Sequence, residues 1–158
     1  MEINNELFEI FLQETSEHLD ILDESLLILE KENENKDQIN RAFRSFHTIK
    51  GSTAFMGYTK VAEFVHHIED YIQEAREGKE HLTAPMCNHL LKCQAALVRF
   101  VENVAKGQDQ NIEEMEPLIL ELNRLRENAS GGPDALKLNA GEAKAPDAFS
   151  VKTGVEAM

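Results

Sequence analysis

The sequence has no tryptophan, four prolines and only two cysteines, and no apolar run approaches the length that crosses a bilayer. Its basic side chains are few as well: 16 Lys and Arg stand against 29 Asp and Glu, a formal charge of −13. Nucleic acids and anionic membranes both need a basic surface, so neither is an expected partner, and no membrane insertion is expected. Cys87 and Cys93 lie six apart. That spacing forms no C-x-x-C pair and points the thiols to different sides of a helix, so they read as reduced and partly buried. Met1-Glu2-Ile3-Asn4-Asn5 is acidic and polar, unlike a signal peptide. A cytosolic, hence cytoplasmic, location is the expectation. No Gly-rich phosphate loop, no G-x-G-x-x-G and no Ser-His-Asp set occurs, so the chain has no ATP site of its own.

What is present is helical periodicity. Phe8, Phe11, Thr15, Leu19, Leu22, Leu26 and Leu29 alternate at three and four residues, which predicts a first helix over about 5–31 with a bundle seam. A polar turn follows, and Asn35 or Asp37 can cap a second helix reaching about Phe55. Gly57 fits a left-handed C-terminal position. Thr59 can cap a third helix with Val61, Val65, Ile68, Ile72 and Ala75 inward, stopped at Gly78. Thr83 and Pro85 open a fourth helix carrying Leu90, Leu97, Val101 and Val104. A fifth has Leu118, Ile119, Leu122 and Leu125 inward. Pro117 is awkward inside it, so a late start near Glu116 is expected. At 158 residues one domain is expected. The fold is read as all-α: an antiparallel, up-down four-helix bundle with an additional C-terminal fifth helix, over residues 1–129.

Residues 130–158 differ. Four of the eight glycines fall there, periodicity stops, and the segment reads as a flexible linker toward downstream domains. The acidity belongs to the helical part, which carries 13 basic and 25 acidic residues.

The chemistry concentrates in the second helix. Phe43, Phe46, Ile49 and Thr53 share one face and read as buried. His47 lies about 100° round from Phe46, at the rim of that stripe. Lys50 and Gly51 fall one turn later on the same side. A helix-interior glycine costs roughly 1 kcal/mol against alanine, and room for another protein beside His47 is a candidate compensation. An edge histidine ordinarily has no role; a cation and a missing side chain one turn away change that reading.

His47-Thr48-Ile49-Lys50-Gly51-Ser52 resembles the H-x-x-K-G-[SGA] signature of histidine-phosphotransfer (Hpt) domains. Phe64-Val65-His66-His67-Ile68-Glu69-Asp70 is similar to the second helix of the P1 domains of CheA-type chemotaxis histidine kinases, where a His and a Glu three apart face the phospho-accepting His. The resemblance covers roughly residues 6–125. It implies that His47 accepts a phosphoryl group on Nε2 from an ATP-bound kinase domain, in the same or a dimer-related chain, and passes it to an aspartate of a CheY-type response regulator. Glu69 would orient His47 through Nδ1, and Lys50 would neutralise the phosphoryl charge. His66 would share the network, and Gly51 and Arg44 would serve partner docking. The domain itself would bind no cofactor. ATP and Mg²⁺ would come with the kinase domain, and Mg²⁺ with the regulator's acidic pocket. His67 points away from Glu69 and reads as a plain rim residue.

Two other readings stay open: a free-standing Hpt relay protein, and a non-phosphorylated helical adaptor or metal-binding bundle. Glu63-x-x-His66 has di-iron spacing, but that site needs a second E-x-x-H and two further inward Glu. Glu14 and His18 are four apart, so no metal is expected.

Overall fold

The computed structural model describes residues 5–110 and 112–130. Five α-helices follow in order: α1 (Asn5–Lys31), α2 (Lys36–Phe55), α3 (Thr59–Arg76), α4 (Ala84–Ala105) and α5 (Met115–Ser130), with a 3₁₀ turn at Ile112–Glu114. No strand occurs among the described residues. The expected all-α bundle is the observed architecture. α1 packs on α2 and α4, and α2 packs on α3. Short connections make chain neighbours antiparallel.

The apolar seams converge on one core. Leu22, Leu26 and Leu29 of α1, Phe46 and Ile49 of α2, Val65, Ile68 and Ile72 of α3, and Leu90, Leu97 and Phe100 of α4 are all essentially buried. Phe43 departs from the expected α2 stripe, because it is only half-buried. α4 buries more than its four expected positions, adding Met86, Cys87, Cys93 and Ala96. The two thiols are therefore wholly buried rather than partly so. Burial raises both to a pKa of about 12, with Glu30 adding to the shift at Cys87.

The helix ends follow local chemistry. Asn35 caps α2 by accepting from the Gln38 N–H at 3.2 Å, and Thr83 caps α4 by accepting from Met86 N–H at 3.3 Å. α2 stops in a Schellman turn: Gly57, at φ +89°, donates to the Ala54 carbonyl, and Tyr58 donates to that of Thr53. Thr59 is not the cap of α3. Tyr58 holds that place without a side-chain cap, since its ring is used elsewhere. It stacks 5.6 Å from Phe11 and sits edge-on 5.1 Å from Phe100, pinning the α2–α3 turn to the core.

α5 starts late, as Pro117 demands, at Met115 after the 3₁₀ turn. Residues through Leu122 form one unit with the bundle. Here Met115 and Leu122 are buried, and the buried His89 lies 2.7 Å from the Leu118 carbonyl through Nε2. From Asn123 the chain belongs to a second unit, whose described part continues the helix to Ser130. Apart from Ser130, the linker expected over 130–158 lies outside the described residues. None of the described helices is long and apolar enough to cross a membrane.

Candidate functional site

The site is built on two neighbouring helices. α2 presents His47 from its rim, and α3 presents Glu69 from a buried position facing it. Nδ1 of His47 lies 2.5 Å from Oε2 of Glu69. Lys50, one turn along α2, places Nζ 2.6 Å from the other oxygen, Oε1. One carboxylate thus bridges an imidazole and an ammonium. The imidazole side chain is 61% exposed and the carboxylate 7%.

A carboxylate so buried needs charge compensation. Burial pushes the Glu69 carboxyl up. Lys50 and then His47 outweigh that effect by hydrogen bonding and charge, and hold it below its ordinary value of 4.5. Glu69 is therefore ionised near neutral pH. An ionised carboxylate only accepts hydrogen bonds, so Nδ1 of His47 must be the donor. In the neutral ring, Nε2 is then the atom with the free lone pair, on an exposed side chain.

The other residues singled out from the sequence are placed as follows. Gly51 is exposed, and a Cβ built on it would meet nothing within 4 Å. No internal close approach demands a glycine there. Arg44 is exposed on α2. His66 is not brought onto the Glu69 carboxylate. Its Nε2 lies 3.5 Å from Asp70 Oδ2, one turn along α3, and its ring is half exposed. His67 is exposed, its ring 6.4 Å from that of His66. Beside Gly51, the N-terminal part of α1 and the end of α2 form a shallow depression of about 230 Å³. Leu7, Ile10 and Phe55 border it and stand exposed, Phe55 at 75%. The sequence reading did not single out this apolar patch. Its signal was Leu7 and Ile10 falling off the α1 seam. No cluster of three or more His, Cys, Asp or Glu able to hold a metal occurs among the described residues.

The sequence matches the Hpt domain family over residues 6–132. The chain belongs to the Hpt family. This Hpt domain is 34% identical over 101 residues to the chemotaxis protein CheA of Listeria monocytogenes, an overlap of 64% of this chain and 16% of that one. It is 32% identical over 105 residues to CheA of Bacillus subtilis, covering 66% of this chain and 16% of the relative. The chain thus spans about a sixth of the length of these curated relatives. Among solved structures, the histidine phosphotransfer domain of CheA superposes with a TM-score of 0.71 at 27% identity, covering 78% of this chain and 93% of that one. The phosphorylated P1 domain of CheA3 from R. sphaeroides, solved in complex with CheY6, gives a TM-score of 0.72 over 80% of this chain and 99% of that one. Its 23% identity speaks to the fold.

Proposed function

We propose that this Hpt domain carries a phosphoryl group on His47 Nε2, within a CheA-type chemotaxis kinase. The observation that supports this best is the Glu69–His47 contact at 2.5 Å, which occupies Nδ1 and leaves Nε2 as the exposed nucleophile. Nε2 attacks the γ-phosphorus of ATP held by a kinase domain. The Nε2–P bond forms as the bond from phosphorus to the bridging oxygen of the leaving ADP breaks. Positive charge developing on the ring is met by the ionised Glu69 through the Nδ1 proton, as in other imidazole–carboxylate pairs. In the second transfer an aspartate oxygen of a CheY-type response regulator attacks the same phosphorus, and the Nε2–P bond breaks.

Mg²⁺ belongs to the kinase's nucleotide site and to the regulator's acidic pocket, and the setting is the cytoplasm. Lys50 offsets charge on the transferred group. Gly51, Arg44 and the Leu7–Ile10–Phe55 patch form the docking face.

The test is labelling with γ-labelled ATP and the kinase domain of a CheA-type protein. The wild-type chain takes an acid-labile label. His47→Gln keeps its helix content, because the side chain is on the rim, and takes none. Equal labelling of that variant, at His66 or elsewhere, would overturn the assignment.

A further inference from the structure

His47 has a second neighbour besides Glu69. Phe43, one turn earlier on α2, lays its ring against the imidazole, with centroids 5.9 Å apart and planes inclined by only 16°. On Phe43 in turn lies Arg76, from the last turn of α3, with its guanidinium carbon 4.2 Å from the ring centroid. Arg76 is anchored at two points. Its Nε donates to Asn40 Oδ1 at 2.9 Å, and Nη1 donates to Gln73 Oε1 at 3.0 Å. Asn40 stands one turn before Phe43 and His47 one turn after it, so the guanidinium reaches the phenyl ring from the side away from the imidazole. The result is a column of three flat groups along the α2–α3 edge: guanidinium, phenyl, imidazole.

We propose that Phe43, backed by Arg76, is a positioning residue for phosphorylation of His47, fixing the plane of the imidazole so that Nε2 points in one direction. This inference rests on His47 being the acceptor. The Glu69 bond restrains the ring at Nδ1 alone, and a flat ring held at one atom can still tilt about it. With 61% of the side chain exposed, solvent supplies no restraint. A second flat ring in near-parallel contact removes that tilt. In-line transfer needs the Nε2 lone pair aimed at phosphorus opposite the leaving oxygen, and misplacement of a reacting atom by about 1 Å can cost on the order of 10²-fold in rate. Phe43 offers no polar atom to the reaction, so its contribution is orientation. Arg76, its rotamer held by two hydrogen bonds, keeps the phenyl ring from swinging into solvent and adds a cation–π contact.

The experiment uses the 158-residue chain as substrate for the ATP-bound kinase domain of a CheA-type protein. It compares wild type, Phe43→Leu, Phe43→Tyr, Arg76→Gln and the His47→Gln control. Phe43→Leu should lower kcat about tenfold, with KM for the chain held within roughly twofold, because orientation and docking are separate. Phe43→Tyr keeps the flat ring and should restore wild-type kcat, and Arg76→Gln should fall between. In NMR spectra, the His47 ring protons should carry the ring-current displacement of a neighbouring aromatic ring in wild type and Phe43→Tyr, and lose it in Phe43→Leu. An unchanged kcat in Phe43→Leu overturns the inference. So does a loss that tyrosine fails to restore, or one that tracks thermal stability while the His47 ring resonances stay put. Wild type labelled only at His47, with Phe43→Leu equally fast, overturns this inference alone. Label absent from wild type, or retained in His47→Gln, overturns the acceptor reading and this inference with it.

Discussion

Nδ1 of His47 and Oε2 of Glu69 lie 2.5 Å apart across the α2–α3 interface, yet one side chain is 61% exposed and the other 7%. The bond joins a reactive surface group to an immobile interior one. An exposed histidine on a helix turns freely between rotamers. This one is referenced to the core through a carboxylate that Lys50 also holds.

Replacing that carboxylate should therefore slow the chemistry without unfolding the protein. Glu69→Gln or Glu69→Ala is expected to reduce the phosphorylation rate toward 10²-fold. That is the low end for general-base and orienting groups, since Glu69 does not touch the reacting atoms. Circular dichroism should show the same helix content. An unchanged rate at saturating kinase would make Glu69 a structural ion-pair partner of Lys50 and nothing more.

The same carboxylate predicts a pH dependence of stability. Its folded-state pKa lies below the ordinary 4.5, burial being outweighed by Lys50 and His47. The unfolded state takes up its proton first as pH falls. The stabilisation is thus fully present above about pH 4.5 and is lost as pH drops through the folded value. The stability difference between wild type and Glu69→Gln should shrink as pH falls below about 5. Urea unfolding across the range measures it. A difference that widens as pH falls below about 5 would contradict the direction of the shift.

Gly51 should behave as a position where stability and function part. A Cβ there would meet nothing within 4 Å, and the backbone is helical. Gly51→Leu is expected to raise unfolding stability by up to about 1 kcal/mol, because leucine is the better helix former. If the space beside His47 is for a partner, the same variant should lose phosphorylation and transfer. Calorimetry and labelling on one preparation decide both. Normal transfer in a stabilised variant would remove Gly51 from the docking face.

The thiols offer a test of the core. Cys87 and Cys93 are fully buried, with pKa values raised to about 12. A thiol reagent at pH 8 should leave the native chain unmodified and react at both sites once denaturant is added. Fast modification of either cysteine in the native state would show that α4 opens far below the global unfolding energy.

Most of the helical framework was legible because three-four spacing is the direct imprint of a buried helix face. α1 ends where its apolar periodicity does, and Pro117 located the late start of α5. The misses share a cause, which is competition between neighbours that one-dimensional spacing does not rank. Thr59 looked like the cap of α3, but the Schellman turn sets Tyr58 there, and packing between Phe11 and Phe100 outweighs a side-chain cap. Phe43 looked like core because it shares spacing with Phe46 and Ile49. Its i, i+4 relation to His47 was equally visible and describes its surroundings better. His66 stands three residues before Glu69, but Asp70 is four residues on, and an imidazole reaches i+4 on its own helix. At the site, the contacts joining His47 and Lys50 to Glu69 depend on the pairing of α2 with α3. The family resemblance anticipated that pairing; periodicity alone could not.

The short turn at residues 56–58 has a consequence for how such a site changes over time. Phe43, His47, Lys50, Gly51, Glu69 and Arg76 all lie on one helical hairpin, whose two packed arms are joined along the chain by that turn. Their register is therefore set like the teeth of a zip, by where the slider sits. One residue added within α3 between Thr59 and Glu69 would advance Glu69 by about 1.5 Å and rotate it by about 100° relative to the start of that helix, carrying it out from under the imidazole while each arm stayed helical. Substitutions can grade this chemistry up or down. Insertions inside either arm would abolish it in a single step, and the anchoring of Tyr58 between two core rings holds the turn from which both arms are counted.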